Sequence, residues 1–119
     1  MIAALVVAAA GAAVAIPVLL VRDEPPPRFG ADVQPIFDNK CVSCHPVAYP
    51  YLDLRRGRSY DDLVRVSAAT RPALERVLPG RPELSYLLIH PPDPSLRGLL
   101  TADDRATIAA WIRAGAKDD

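Results

Sequence analysis

The chain is poor in methionine, cysteine, lysine and tryptophan, and each shortage narrows what it can do. Its single methionine is Met1, which leaves no thioether ligand in the body of the chain. The two cysteines, Cys41 and Cys44, stand three positions apart, so a disulfide closing a long loop is excluded. Lysine occurs only at Lys40 and Lys117, and the fourteen basic residues are balanced by fourteen acidic ones. There is no basic tract to suggest nucleic acid and no acidic tail to suggest a charged arm. Thirteen prolines in 119 residues, most of them beyond residue 24, argue against long uninterrupted elements there.

The longest apolar run is at the start. Residues 1–21, "MIAALVVAAAGAAVAIPVLLV", carry no charged or strongly polar side chain. About 20 residues at ~1.5 Å rise span ~30 Å, the hydrocarbon thickness of a bilayer. A buried helix of a globular domain would show a polar stripe. A cleaved signal peptide is the main rival. Ala13-Val14-Ala15 is small-residue sequence of the cleavable type, but no Lys or Arg precedes Arg22 and apolar sequence continues to Val21. The run predicts a single transmembrane helix over 1–21, in which Pro17 is a tolerated distortion. Residues 22–28, "RDEPPPR", predict a proline-rich, semi-rigid linker. Residues 29–119 then form one domain of roughly 90 residues, whose marginal core calls for a staple such as a cofactor.

Within that domain the apolar spacing of Val33, Ile36, Phe37 and Cys41 predicts a helix capped by Asp32, with Pro35 in its first turn. Ser59 and Asp62 predict the start of a short helix with Leu63 and Val66 inward. Pro72 and Pro82 each read as the first turn of a helix, with Pro79-Gly80 between them. Thr101 and Asp104 cap a last helix whose stripe is Ile108, Trp111 and Ile112, stopped by Gly115. No segment alternates in the manner of a strand, so the expected class is all-α.

Chemistry concentrates in Cys41-Val42-Ser43-Cys44-His45. A thioredoxin-like disulfide needs this spacing at the start of a helix after a strand, whereas here it follows a helix. Zinc needs four ligands, and Cys41, Cys44, His45 and His90 are the soft or imidazole candidates; adjacent Cys44 and His45 converge poorly on one ion. Two buried cysteines beside a histidine by coincidence is the third alternative. The fourth is covalent attachment of one haem c: two thiols take the two vinyl groups, and the next residue, His45, reaches the iron as proximal ligand.

Several blocks act together here: "DVQPIFDNKCVSCH", "LDLRRGRSYDDLV", "RVLPGRPELSYLL" and "LTADDRATIAAWIRAGA". In combination they resemble the small class I-like cytochrome c domains, over nearly all of Phe29 to the C-terminus. The resemblance implies a cytochrome c-like haem domain whose first and last helices cross beside the haem. The chain departs from that family at the sixth ligand. Such domains place a methionine-proline-proline stretch before the last helix; here His90-Pro91-Pro92 stands in its place. His90 is therefore the candidate distal iron ligand, against the plainer reading of a cation near a helix C-terminus and against an open or water-bound iron. Two imidazoles favour ferric iron relative to a methionine, so the expected potential is comparatively low.

Arg55, Arg56 and Arg58 are candidate partners of haem propionates, against a solvated basic turn. Tyr49, Tyr51 and Tyr86 are candidates to line the haem pocket, and Trp111 to pack against the haem or the first helix. The expected function is a membrane-anchored monohaem c-type cytochrome passing single electrons. It would serve redox protein partners as a subunit or tethered carrier of a respiratory or photosynthetic electron-transport complex. The alternatives are a haem-based small-ligand sensor or peroxidase with an open sixth site, and an accessory subunit. The expected location is the bacterial inner membrane, single-pass, with the haem domain periplasmic because haem attachment occurs there. Arg22 and Arg28 on the body side of the span argue mildly the other way.

Overall fold

The computed structural model describes residues 24–89 and 98–119. A π-helical turn, Phe29–Val33, runs directly into α1, Gln34–Lys40. It is followed by α2, Ser59–Leu63, a 3₁₀ turn at Pro82–Leu84, α3, Tyr86–Ile89, and α4, Ala102–Arg113. Among the described residues there are no strands, only isolated bridges such as Val64 to Val77 and Ser67 to Glu75.

Two expectations are corrected. A span needs about 20 apolar residues, whereas the longest helix among the described residues, α4, has 12 and carries Asp103, Asp104, Arg105 and Arg113. No described helix is long and apolar enough to cross a membrane. The expected fold, a cytochrome c-like all-α domain behind a transmembrane helix, is thus replaced, among the described residues, by four short helices joined by irregular chain. The single-pass placement in the bacterial inner membrane is corrected on the same finding. Residues 1–21, on which the span was predicted, and the first part of the linker, residues 22 and 23, lie outside the described residues.

The second reason for the difference in fold is local. Residues 71–78, read as a helix from Pro72, instead fold back along 64–68: Arg65 N donates to Val77 O at 3.0 Å, Ala68 N to Leu74 O at 2.9 Å, and Arg76 N to Val66 O at 2.6 Å. Arg65 takes a left-handed φ of 61°, which turns the chain where the helix from Ser59 ends. Backbone groups satisfied across that turn cannot also build a helix.

Helix α4 follows its sequence. Thr101 Oγ1 accepts from Asp104 N at 3.0 Å, and Asp104 Oδ2 accepts from Thr101 N at 3.1 Å, a complete capping box. At the other end Gly115 has φ 112°, Ala116 N reaches Trp111 O at 2.9 Å, and the helix closes by a six-to-one bond. Ile108, Trp111 and Ile112 are buried.

The core joins the two ends of the domain. Phe29 lies 5.0 Å from Trp111, 5.4 Å from Tyr60 and 6.1 Å from Phe37, ring centre to ring centre. Burying each such aromatic stabilises the fold by about 2–3 kcal/mol. Tyr60 Oη donates to Ala116 O at 2.7 Å, and Lys40 Nζ donates to Leu99 O at 2.9 Å while lying 3.4 Å from Asp104 Oδ2. The C-terminal end of α1 is thereby fixed against α4, and Cys41 is the next residue.

Candidate functional site

Cys41 ends α1, its N–H bonded to Phe37 O at 2.8 Å. The chain then winds through successive turns. Cys41 O accepts from Cys44 N at 3.1 Å and from His45 N at 2.9 Å; Cys44 O accepts from Ala48 N at 3.0 Å and from Tyr49 N at 2.8 Å. This winding sets Cys44 and His45 in the turn that directly follows the end of α1. Cys41 is half-buried and Cys44 exposed, and neither is in a disulfide.

His45 is buried, at 9% exposure. Its Nδ1 lies 3.3 Å from Tyr49 O. A carbonyl can only accept, so this contact puts the ring proton on Nδ1 and the lone pair on Nε2. Leu54 N donates to His45 O at 3.2 Å, which fixes the backbone on the far side of the residue. Burial lowers the His45 pKa, with the Arg76 guanidinium acting in the same direction and the Tyr49 carbonyl against it. The ring is therefore held in the neutral form that metals bind.

Burial likewise pushes the Cys41 thiol up to about 11, helped by Cys44 and Asp104 and opposed by Lys40. Its place at the C-terminal, electronegative end of α1 is the reverse of what a reactive thiolate needs. A redox dithiol of the thioredoxin sort does not fit. Nor does zinc: among the described residues no three of His, Cys, Asp and Glu converge to hold a metal ion.

A small open cleft of about 30 Å³ lies against His45, walled by Leu52, Leu63, Ala68, Ala69 and Leu87, with Tyr51, Tyr86 and Arg76 around it. Cys41 and Cys44 do not line this cleft; they stand in the turn before His45, which does. Two free thiols three positions apart, followed directly by an imidazole, are the donor types that covalent haem requires, so the residue types fit that group.

The remaining candidates divide. Tyr51 and Tyr86 line the cleft, and the Tyr49 and Tyr51 rings lie 5.6 and 5.7 Å from the His45 ring. Trp111 sits in the core against Phe29. Arg55 is exposed and grips Asp53, Nη2 to Oδ2 at 2.6 Å and Nε to Oδ1 at 2.9 Å. Arg56 faces a different hollow, with Nη1 3.3 Å from Gly30 O and Nη2 3.6 Å from Asp38 Oδ2. Neither arginine lines the His45 cleft in this structure. His90 lies outside the described residues. Sequence reasoning missed Arg76, which is buried in the cleft wall. Nothing in its local sequence sets it apart from the exposed arginines.

Comparison of the chain with protein-family models, with curated proteins and with solved structures found no match.

Proposed function

We propose that this chain is a monohaem c-type cytochrome that passes single electrons between redox protein partners. The observation that carries the reading is His45: a buried imidazole, its Nδ1 held by Tyr49 O, directly following Cys44 in the chain and bordering an apolar cleft. Metal-bound histidines characteristically donate their other nitrogen to such a carbonyl. When bound, haem supplies the one-electron iron couple. The chain's share is structural. Cys41 and Cys44 are the attachment thiols, His45 is the proximal ligand, and the aliphatic walls exclude water. On sequence grounds His90 would be the second residue to hold the iron, and two imidazoles would lower the potential relative to methionine ligation. The resemblance of the four sequence blocks to small cytochrome c domains supports the same reading.

The test is expression of the full chain alongside a haem-attachment system, followed by intact mass and the alkaline pyridine spectrum. One covalent haem in the wild type and none in the Cys41→Ala/Cys44→Ala double variant is the expected result. A wild-type chain of unmodified mass refutes the proposal. Tight carbon monoxide binding by the untreated reduced protein would favour the ligand-sensor alternative instead.

A further inference from the structure

Among the described residues that wall the His45 cleft, Arg76 is the one with a permanent charge. It is only 8% exposed. Burying a guanidinium is costly unless it is paired, and Arg76 is paired with care. Its Nη1 donates to Asp62 O at 2.8 Å and lies 3.4 Å from Asp62 Oδ1, while Nη2 donates to Tyr51 O at 3.0 Å.

Two consequences follow. The first is mechanical. The Tyr51 carbonyl belongs to the loop whose Tyr49 carbonyl holds His45 Nδ1, and the Tyr51 ring stands 5.7 Å from the His45 ring. Arg76 therefore pins that loop to α2 from behind. The second is electrostatic. The Asp62 side chain is 37% exposed and that of Arg76 is 10% exposed. Water screens the carboxylate more than the guanidinium, and Asp62 does not line the cleft. The pair presents its positive end to the cleft.

We propose that Arg76 is a positioning residue of the His45 cleft, clamping the loop that grips the imidazole and holding fixed positive charge beside the group His45 ligates, so that its reduced state is favoured. This rests on the haem reading above. It also opposes the lowering of potential that a second histidine ligand brings: burial and nearby charge set a haem potential along with the axial ligands.

The experiment is a redox titration of the full, haem-loaded chain as wild type, Arg76→Gln, Arg76→Lys and Asp62→Asn. Arg76→Gln should shift the oxidised-to-reduced ratio at a fixed potential about tenfold toward oxidised, equivalent to about 59 mV for one electron. Asp62→Asn, which keeps an oxygen for the Asp53 N–H, should shift it toward reduced. Arg76→Lys keeps the charge and should restore most of the potential, which a purely structural role would not predict. Unmoved potentials in Arg76→Gln and Asp62→Asn overturn the proposal. If Arg76→Gln fails to fold, Asp62→Asn decides alone, and no shift toward reduced overturns it. A wild type without covalent haem overturns the reading beneath it, whereas a loaded wild type with unmoved variants overturns only the role of Arg76.

Discussion

Replacing Ser59 by alanine tests how the site is held from a distance. Gln34 and Ser59 are both buried, at 1% and 0% exposure. The Ser59 hydroxyl donates to Gln34 Oε1, and Gln34 Nε2 donates to Leu54 O at 2.9 Å and to Asp38 Oδ1 at 2.9 Å. Leu54 N in turn donates to His45 O. The amide of Gln34 is thus two bonds from the backbone of the candidate ligand. Ser59→Ala leaves Gln34 Oε1 buried with its donor removed, at a cost of about 1–3 kcal/mol. For a domain of this size each kcal/mol lowers Tm by roughly 4–8 °C. Gln34→Leu should cost more, because it strands both the Leu54 carbonyl and the Ser59 hydroxyl. The double variant should cost less than the two singles together, since neither partner then waits for the other. Urea unfolding of the four proteins, followed by circular dichroism, reads the cycle. Single effects that add to within about 0.5 kcal/mol would refute the coupling, as would a Ser59→Ala protein as stable as wild type.

Asp104 accepts from Thr101 N and meets Lys40, and chiefly the Thr101 bond lowers its carboxyl below the ordinary value. Its stabilisation is complete above the unfolded pKa of about 3.9 and is lost as pH falls through the lower folded value. Asp104→Asn should therefore flatten the acid limb of a stability-versus-pH curve, and an unchanged limb would count against the capping box. Gly115→Ala meets no atom within 4 Å of the added Cβ, so its whole cost is the φ of 112°, about 1–2 kcal/mol by urea unfolding; a neutral result would contradict the stop. His90→Ala should turn a low-spin ferric spectrum high-spin. An absorption band characteristic of methionine ligation, or a high-spin wild type that the substitution leaves unchanged, would remove His90 from the site.

What the sequence reveals and what it hides divide along contact range. The Thr101–Asp104 box, the Gly115 stop and the stripe of Ile108, Trp111 and Ile112 are local patterns, and each stands where spacing puts it. Ser59 reads locally as a cap, yet its hydroxyl goes to Gln34, 25 positions away, because the buried amide needs a donor more than the exposed helix end does. Asp32 reads as the cap of α1, but its carboxylate reaches back to Arg28 N at 2.7 Å and closes the π turn before it. Pro72 reads as a helix start, and pairing with 64–68 overrides it. The membrane expectation came from hydropathy alone over residues 1–21, while the described helices are all too short or too polar to span. Motif spacing named Cys41, Cys44 and His45, but only packing distinguishes Arg76 from Arg55 and Arg56.

The frame around His45 is made mostly of backbone. Its N–H is taken by Cys41 O, its carbonyl by Leu54 N, and its Nδ1 by Tyr49 O. These groups are anchored to two helices. Cys41 ends α1, Leu54 is tied to Gln34 in α1, and the Tyr49–Tyr51 loop is tied through Arg76 to α2. The backbone of His45 is thus held on both sides, and its ring is held at Nδ1. Such preorganisation is what a side chain in a binding or redox role requires. The aromatic cluster of Phe29, Phe37, Tyr60 and Trp111 packs the core and does not line the cleft. The cleft beside His45 is walled instead by aliphatic side chains, among them Leu52, Leu63, Ala68 and Leu87.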